Sequence, residues 1–291
     1  MIYDVRQTTI YHYASSVAYA NHVLRLTPID REHQRVHAAT LDITPTPIER
    51  REGHDFFGNR ITWITFDQPH DTLTIWVAAR IAVNGVSAKP IDTPAWEEVR
   101  TAAFASADLG SLAPTHYLFP SRQVSLDPEI RDYAALSFPA GRTVLDGATD
   151  LMNRIKAEFV YEVGATTAST TPPMSFALRR GVCQDFTHIM ISGMRSLGLP
   201  IAYVSGYLRT TQSPNEAKLE GADAMHAWAS VWCGEGAGWI GFDPTNGMLA
   251  GTDHVVLAIG RDYADVAPMD GVIFASGAQR LETSVRVLPV G

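Results

Sequence analysis

The sequence contains very little cysteine, and its charge is unbalanced toward acid. Only two cysteines, Cys183 and Cys233, occur among the 291 residues. A framework of disulfides is therefore excluded, and a reducing cytoplasm is the expected compartment. The formal net charge of −8 argues against a nucleic-acid-binding surface, which usually carries a basic stripe, and against an anionic membrane as a partner.

The sequence also lacks long apolar runs and recognisable targeting or metal-binding patterns. No stretch approaches the roughly 18 apolar residues that a membrane-spanning helix needs. The first residues show no basic region followed by an apolar core, so no signal peptide is expected. The ten histidines show no HExxH spacing and the cysteines no CxxC spacing, so we expect no metal ion and no cofactor. An apolar content of 46% favours a soluble globular protein.

A cysteine stands at the start of a predicted helix. After Gly181 and Val182, apolar residues recur at spacings of three and four from Phe186 to Leu197, and Gly198 and Pro200 end the pattern. Cys183 lies on the same face as Phe186, in the first turn. The helix dipole and the free backbone N–H groups there favour a thiolate over a thiol.

A histidine and an aspartate lie on the two strands of the hairpin that follows. Residues 225–232 alternate as a strand, 234–238 form a glycine-rich turn, and 239–243 return as a second strand. With the turn centred between Gly234 and Glu235, His226 lies opposite Asp243. A slip of two residues keeps them on one face, and a slip of one separates them. Together with Cys183 they would form a thiol nucleophile, its base and the orienting acid.

Three motifs in this order, GVCQDF, HAW and GWIGFDPTNG, resemble the transglutaminase-like cysteine protease superfamily. The resemblance is closer to bacterial proteins that join an N-terminal β-rich domain to such a core, through YHYASSVAYANHVLRLTP and HDFFGNRITW. It implies that Cys183 is the nucleophile, His226 the base and Asp243 the orienting acid. The family often has an acidic residue where this chain has Ser230, and an aromatic residue where it has Gln184. The second donor of the oxyanion hole therefore stays open.

Weaker candidates surround these three residues. Gln184 and Trp228 could contact substrate or contribute to the oxyanion hole. Trp228 follows His226 on the same strand face, where it either shields the His–Asp hydrogen bond from water or belongs to the core. Cys233 precedes the turn and is expected to be structural. A zinc site built from these cysteines with His226 and Asp243 has no supporting spacing.

The predicted fold class is α+β, with three regions along the chain. Residues 1–85 predict an N-terminal antiparallel β-sandwich, 86–145 a proline-rich connector with short helices at 96–104 and after Asp127, and 146–291 a papain- or transglutaminase-like catalytic domain. In that domain the nucleophile helix packs on an antiparallel sheet. The predicted strands are 3–13, 20–27, 34–44, 60–66 and 73–83 in the sandwich, then 201–208, 254–259, 272–276 and 281–288 in the catalytic sheet.

Four loops leave alternatives open. The aromatic segment 113–120 is either an anchored linker or a wall of the substrate cleft, and the threonine-rich segment 166–173 is either solvated or part of that cleft. The aromatics of the turn 55–59 are expected to pack on the core. Residues 261–265 favour a structural ion pair over a clamp on a polar substrate, and 210–223 predict a polar loop at the cleft edge.

The predicted activity is thiol-dependent cleavage of a peptide, isopeptide or side-chain amide bond in a peptide or protein substrate, through a thioester acyl-enzyme. Transfer of the acyl group to an amine, as in transglutaminases, is one alternative. A non-catalytic binding module that retains the fold is another, although a binding scaffold has no need of all three site residues. No residue in the sequence decides between water and an amine as the acceptor, or indicates an oligomeric state.

Overall fold

Alternating apolar residues build the N-terminal sheets. The computed structural model describes residues 1–85, 91–210 and 224–290, so the predicted loop at 210–223 lies almost wholly outside the described residues. The strands of the first region are β1 (Ile2–Val17), β2 (Tyr19–Leu24), β3 (Gln34–Thr44), β4 (Glu49–His54), β5 (Arg60–Phe66) and β6 (His70–Val83). β4 was not predicted because all but one of its six residues are exposed, so no alternation marks it.

Six α-helices are described, and three of them correspond to the helices expected at 96–104, after Asp127 and at Cys183. They are α1 (Trp96–Ala105), α2 (Pro128–Ala135), α3 (Val144–Glu158), α4 (Pro172–Leu178), α5 (Cys183–Ser196) and α6 (Tyr263–Val266). Asp127 caps α2 as expected, because its carboxylate accepts the N–H groups of Glu129 and Ile130. α4 was not predicted, because its first two residues are the last two of the segment 166–173, which was expected to be a polar loop. Across the described ranges, no helix has the length and apolar character to cross a membrane.

The core sheet carries α5 on one face. After the short parallel pair β7 (Val160–Tyr161) and β8 (Arg180–Gly181), its strands are β9 (Ile201–Leu208), β10 (His226–Trp232), β11 (Trp239–Asp243), β12 (Met248–Leu249) and β13 (His254–Gly260). Their order is β12-β11-β10-β9-β13, and all neighbours are antiparallel. Buried residues of α5, such as Phe186 and Met190, form one apolar cluster with Ala229 and Val231 of β10. The α+β class and the helix-on-sheet core are thereby confirmed.

The sequence analysis expected the last two strands to complete this core sheet. They belong to the sandwich instead. β14 (Met269–Phe274) pairs with β2, and β15 (Gln279–Pro289) pairs with β1. The two antiparallel sheets of the sandwich are therefore β15-β1-β6-β3 and β14-β2-β5-β4. Strand alternation alone does not identify a partner, and for this reason the prediction of their pairing was wrong. The predicted division of the chain into domains stays a prediction.

Two side-chain amides of the N-terminal region cover the free edge of the core sheet. Gln34 donates to the carbonyl of Val256 and accepts its N–H, both at 2.8 Å. Asn59 does the same to Ile259, at 2.7 and 2.8 Å. These two amide clasps satisfy backbone groups of β13 that would otherwise be unpaired at a sheet edge.

Candidate active site

The local sequence places Cys183 at the N-terminus of α5, half-buried and accessible. The carboxylate of Asp185 turns back over the first turn and accepts the N–H of Val182 at 2.8 Å and the hydroxyl of Thr166 at 2.6 Å. A side chain at Gly181 would collide with that carboxylate. The segment from Gly181 to Asp185 therefore folds as a capped helix start that leaves the thiol at the positive end of the helix dipole.

His226 and Asp243 meet across the hairpin of β10 and β11. The register pairs Ala229 with Phe242 and Trp232 with Trp239, so Asp243 falls opposite Trp228 and diagonal to His226. This is the arrangement expected for a slip of two residues, which keeps both side chains on one face. His226 Nε2 lies 3.0 Å from Asp243 Oδ2, and neither side chain is exposed to solvent. Since an ionised carboxylate only accepts, His226 donates its Nε2–H.

The carboxylate of Asp243 is held from several directions. Its Oδ1 accepts the backbone N–H groups of Thr245 and Asn246 at 2.9 and 3.1 Å. Its Oδ2 accepts the Asn246 side-chain amide at 2.8 Å and lies 3.2 Å from Nε2 of His254. Burial alone would raise the pKa of Asp243, but the charge of His226 and the hydrogen bonds of His226 and His254 outweigh it and hold the pKa well below its usual range.

The opposite shift occurs at His226. Burial alone would lower the pKa of the imidazole, but the charge and hydrogen bond of Asp243 and those of Cys183 raise it to about 10. His226 Nδ1 is buried, and no described residue makes a hydrogen bond of ordinary geometry to it. Cys183 thus acts on the ring through a loose contact in the resting state, as is common before substrate binds. Nδ1 is the nitrogen left free to exchange a proton with the thiol.

Aromatic side chains enclose the three residues. The Trp228 ring is stacked against His226 with centroids 6.1 Å apart, and only 2% of the residue is exposed. Burial and then the charge of Cys183 raise the pKa of Tyr203 well above its ordinary value. Burial, Asp270 and Cys183 likewise raise the pKa of Tyr263. Trp228 therefore covers one face of the His226 ring, and two phenols lie within the electrostatic reach of the thiol.

Known proteins resemble this chain in sequence. A model of the transglutaminase-like superfamily matches residues 135–244, and a model of the bacterial transglutaminase-like N-terminal region matches residues 3–82. An uncharacterized protein of Mycobacterium tuberculosis is 36% identical over 295 residues, which cover 99% of this chain and 92% of that protein. This chain belongs to the transglutaminase-like superfamily. The resemblance inferred from the three motifs is thereby confirmed.

Two further proteins resemble this chain over nearly its whole length. An uncharacterized protein of Mycobacterium leprae is 28% identical over 284 residues, which cover 97% of each chain. The crystal structure of a candidate cysteine protease from Cytophaga hutchinsonii superimposes with a TM-score of 0.76 at 22% identity, covering 100% of this chain and 92% of that one. The fold is thus shared from the sandwich through the transglutaminase-like core.

The weaker site candidates have definite positions in the transglutaminase-like core. Gln184 follows Cys183 but donates its amide to the carbonyl of Ala168 at 3.1 Å, so it ties the threonine-rich segment to the nucleophile helix. An oxyanion role for Gln184 or Trp228 stays a prediction. Cys233 is fully buried, and burial raises the pKa of its thiol to about 12, which agrees with a structural role.

The loops near the core divide between anchoring and surface roles. Arg261 binds Asp265 through two hydrogen bonds of 2.8 and 3.0 Å, as the ion-pair interpretation expects. Tyr117 is fully buried and packs against Phe57 and Trp239, so the segment 113–120 is anchored. Phe56, expected to pack on the core, is instead 58% exposed. A cavity of about 400 Å³ opens here, lined by Arg25, Asp55, Phe56, Phe57, His116, Arg261, Ala264 and Asp265.

His254 is the site residue that the sequence analysis missed. It was predicted only as the first residue of a strand, because its spacing from the other motifs carries no signal. The topology brings it to Asp243 from β13, on the far side of β9. Within the described ranges, no group of three His, Cys, Asp or Glu residues is arranged to hold a metal ion.

Proposed function

We propose that this protein is a thiol hydrolase that cleaves a peptide, isopeptide or side-chain amide bond of a peptide or protein substrate. The superfamily and the fold support a cysteine-dependent activity. The observation that carries the proposal is the bonding of His226: Nε2 is committed to Asp243, while Nδ1 is buried, makes no hydrogen bond of ordinary geometry with a described residue and is within the influence of Cys183. An imidazole in this state can hold the proton of a neighbouring thiol.

The chemistry then proceeds in two steps. His226 Nδ1 takes the thiol proton, and Cys183 Sγ attacks the carbonyl carbon of the substrate. As the C–N bond breaks, His226 returns the proton to the leaving amine, and a thioester remains. In the second step His226 takes a proton from water, the hydroxide attacks the thioester, and the C–S bond breaks to release a carboxylic acid and the Cys183 thiolate. The proton held by His226 then returns to the sulfur and regenerates the thiol. The backbone N–H of Cys183, at the helix start, is the proposed donor to the oxyanion.

The first test is the rate at which iodoacetamide alkylates Cys183 as a function of pH, read by intact mass and peptide mapping. We expect rapid labelling near pH 6, and a loss of that labelling in His226→Ala, because the thiolate is then no longer paired with an imidazolium. Cys233 provides the internal control, since a fully buried thiol reacts only when the protein unfolds. Labelling that begins only above about pH 8 and is the same in wild type and His226→Ala would favour a non-catalytic binding module.

The second test separates hydrolysis from acyl transfer. A panel of glutamine-containing and isopeptide-linked peptides is incubated with the protein in the presence and absence of a primary amine, and products are identified by mass. We expect free carboxylic acids in both reactions. Ammonia release accompanied by incorporation of the amine would instead assign transglutaminase-type transfer. Cys183→Ala, which keeps the fold but lacks the nucleophile, is the matched blank.

The proposed compartment is the reducing cytoplasm. Two observations support it: Cys183 and Cys233 are both free, and a thiol nucleophile has to stay reduced. Fractionation of the producing cell, with the protein detected by antibody, tests the location directly. Recovery from the cell envelope or from the medium would contradict it.

A further inference from the structure

A second histidine shares the carboxylate that orients the base. His254 is the first residue of β13 and is 3% exposed. Its Nε2 lies 3.2 Å from Asp243 Oδ2, the same oxygen that binds His226. Its Nδ1 accepts the backbone N–H of Gly251 at 3.3 Å. Since Nδ1 accepts, the ring proton is on Nε2, and His254 is a neutral donor to Asp243.

We propose that His254 is a positioning residue. It fixes the direction of the Asp243 carboxylate, and through that carboxylate it orients the ring of His226, the base for Cys183. The proposal rests on the proposed function of Cys183 and His226. In this role His254 acts on the reaction through one oxygen atom, Asp243 Oδ2, and not by contact with the thiol or the substrate carbonyl.

The origin of the other hydrogen bonds to Asp243 supports this role. Thr245 and Asn246 supply two backbone N–H groups and one side-chain amide, but both residues belong to the same turn as Asp243. Their hydrogen bonds to the carboxylate are therefore local to this end of β11. Among the hydrogen bonds described at this carboxylate, those from His226 and His254 are the two that come from other strands. His254 therefore ties the carboxylate to β13 while His226 receives its direction from the carboxylate.

Trp228 keeps the two imidazoles in a fixed relation. Its ring is nearly parallel to that of His226, at an interplanar angle of 24°, and meets the ring of His254 edge-on at 75° with centroids 5.1 Å apart. Close packing of this kind leaves each ring a single orientation. The shared oxygen and the shared indole thus make one rigid unit of the two histidines and the aspartate.

The geometry of His254 provides a matched pair of variants. In His254→Gln the amide nitrogen reaches the position of Nε2 and can still donate to Asp243. In His254→Asn the amide ends at the position of Nδ1, so contact with Gly251 is kept and the donor to Asp243 is lost. Both variants are polar and smaller than or similar to histidine, and their thermal unfolding is followed in parallel.

The experiment measures iodoacetamide labelling of Cys183 against pH in the whole protein, for wild type, His226→Ala and both His254 variants. For His254→Asn we expect the labelling midpoint to rise by about one pH unit, which lowers the labelling rate near pH 6 about tenfold. We expect His254→Gln to stay within about threefold of wild type. A wild-type profile in His254→Asn, or equal profiles in both variants at equal thermal stability, would overturn the positioning role.

A second readout does not depend on reactivity. The His226 Nε2–H proton, hydrogen-bonded to a buried carboxylate, is expected to give a downfield proton NMR signal that is lost in His226→Ala. We expect the signal to persist in His254→Gln and to move or broaden in His254→Asn. If wild-type Cys183 proved unreactive near pH 6, the proposed function would fail while this signal still decided the role of His254. An unchanged signal in His254→Asn would refute that role.

Discussion

At the scale of single residues, two neighbours raise the pKa of His226, the buried carboxylate of Asp243 and then Cys183. Burial would keep the ring neutral, yet Asp243 and Cys183 raise its pKa from 6.5 to about 10. A group whose pKa is raised by folding stabilises the folded state fully at pH values below its pKa in the unfolded chain. This stabilisation is lost as the pH rises through its pKa in the folded state. The relevant window for His226 therefore runs from about pH 6.5 to about pH 10.

The resulting prediction concerns stability against pH. The comparison is made in the Cys183→Ala background, because a thiol that ionises as His226 gains its proton would leave the number of bound protons unchanged. There Asp243 still raises the pKa of His226 above 6.5, so Cys183→Ala should lose on the order of 1 kcal/mol or more of its free energy of unfolding as the pH rises through that window, relative to the double variant Cys183→Ala/His226→Gln. Parallel urea-unfolding curves for these two proteins would show that folding adds no proton to His226.

At the scale of elements, β9 is the strand on which the site depends, since it lies between β10 with His226 and β13 with His254. Gly206 of β9 pairs with both His226 and Val256. A methyl group there would overlap the carbonyl oxygen of Val255 and lie 2.6 Å from the Trp228 ring. The absence of a side chain at this position is therefore required for β13 and Trp228 to approach β9.

We expect Gly206→Ala to lower the free energy of unfolding by at least about 2 kcal/mol and to reduce labelling of Cys183 near pH 6. Overpacking here pushes β13 away from β9 and displaces His254 with it. Gly236→Ala is the matched control, because a methyl group at that turn position meets no atom within 4 Å. Chemical denaturation and alkylation of both variants check the prediction, and a Gly206→Ala variant as stable and reactive as Gly236→Ala would contradict it.

Local patterns were sufficient to predict most elements. The bounds predicted for β3, β5 and β9 match the structure, because alternating or wholly apolar stretches are flanked there by turn residues. The start of α5 was predicted from its glycine and apolar spacing. β4 and α4 carry no such pattern. The amide clasps of Gln34 and Asn59 could not be predicted either. A polar residue beside a turn gives no sign of the distant strand to which it binds.

The candidate site shows the same limit. His226 and Asp243 lie on the two strands of one hairpin and Cys183 opens a helix, so local patterns brought all three within reach of prediction. His254 lies on the other side of β9, and its distance from Asp243 depends on the order of the strands in the sheet. Sheet order is set by packing over the whole core. The fourth member of this cluster could therefore be found only in three dimensions.

At the scale of the whole molecule, the sandwich and the core share apolar contacts. One buried cluster contains Tyr3 and Val5 of β1, Tyr207 of β9, and Val255 and Leu257 of β13. The amide clasps add hydrogen bonds across the same junction. Burial that crosses a boundary couples the unfolding of the parts on either side.

We therefore expect one unfolding transition for the entire chain. Differential scanning calorimetry should give a calorimetric enthalpy close to the van't Hoff enthalpy, and probes in the sandwich and the core should report the same midpoint. Trp63 of β5 and Trp232 of β10 provide such probes when each is retained as the single reporter of its region. Two separated transitions would mean that the regions fold independently.

The pairing of β15 with β1 also dictates an order of events during synthesis. The whole transglutaminase-like core is translated between these two strands, so β1 emerges from the ribosome long before its neighbour in the sheet. Until β15 follows, β1 has a partner on one side, β6, and an open edge on the other. A nascent or prematurely terminated chain thus exposes a long strand edge, which is the kind of surface that chaperones protect and that aggregation exploits.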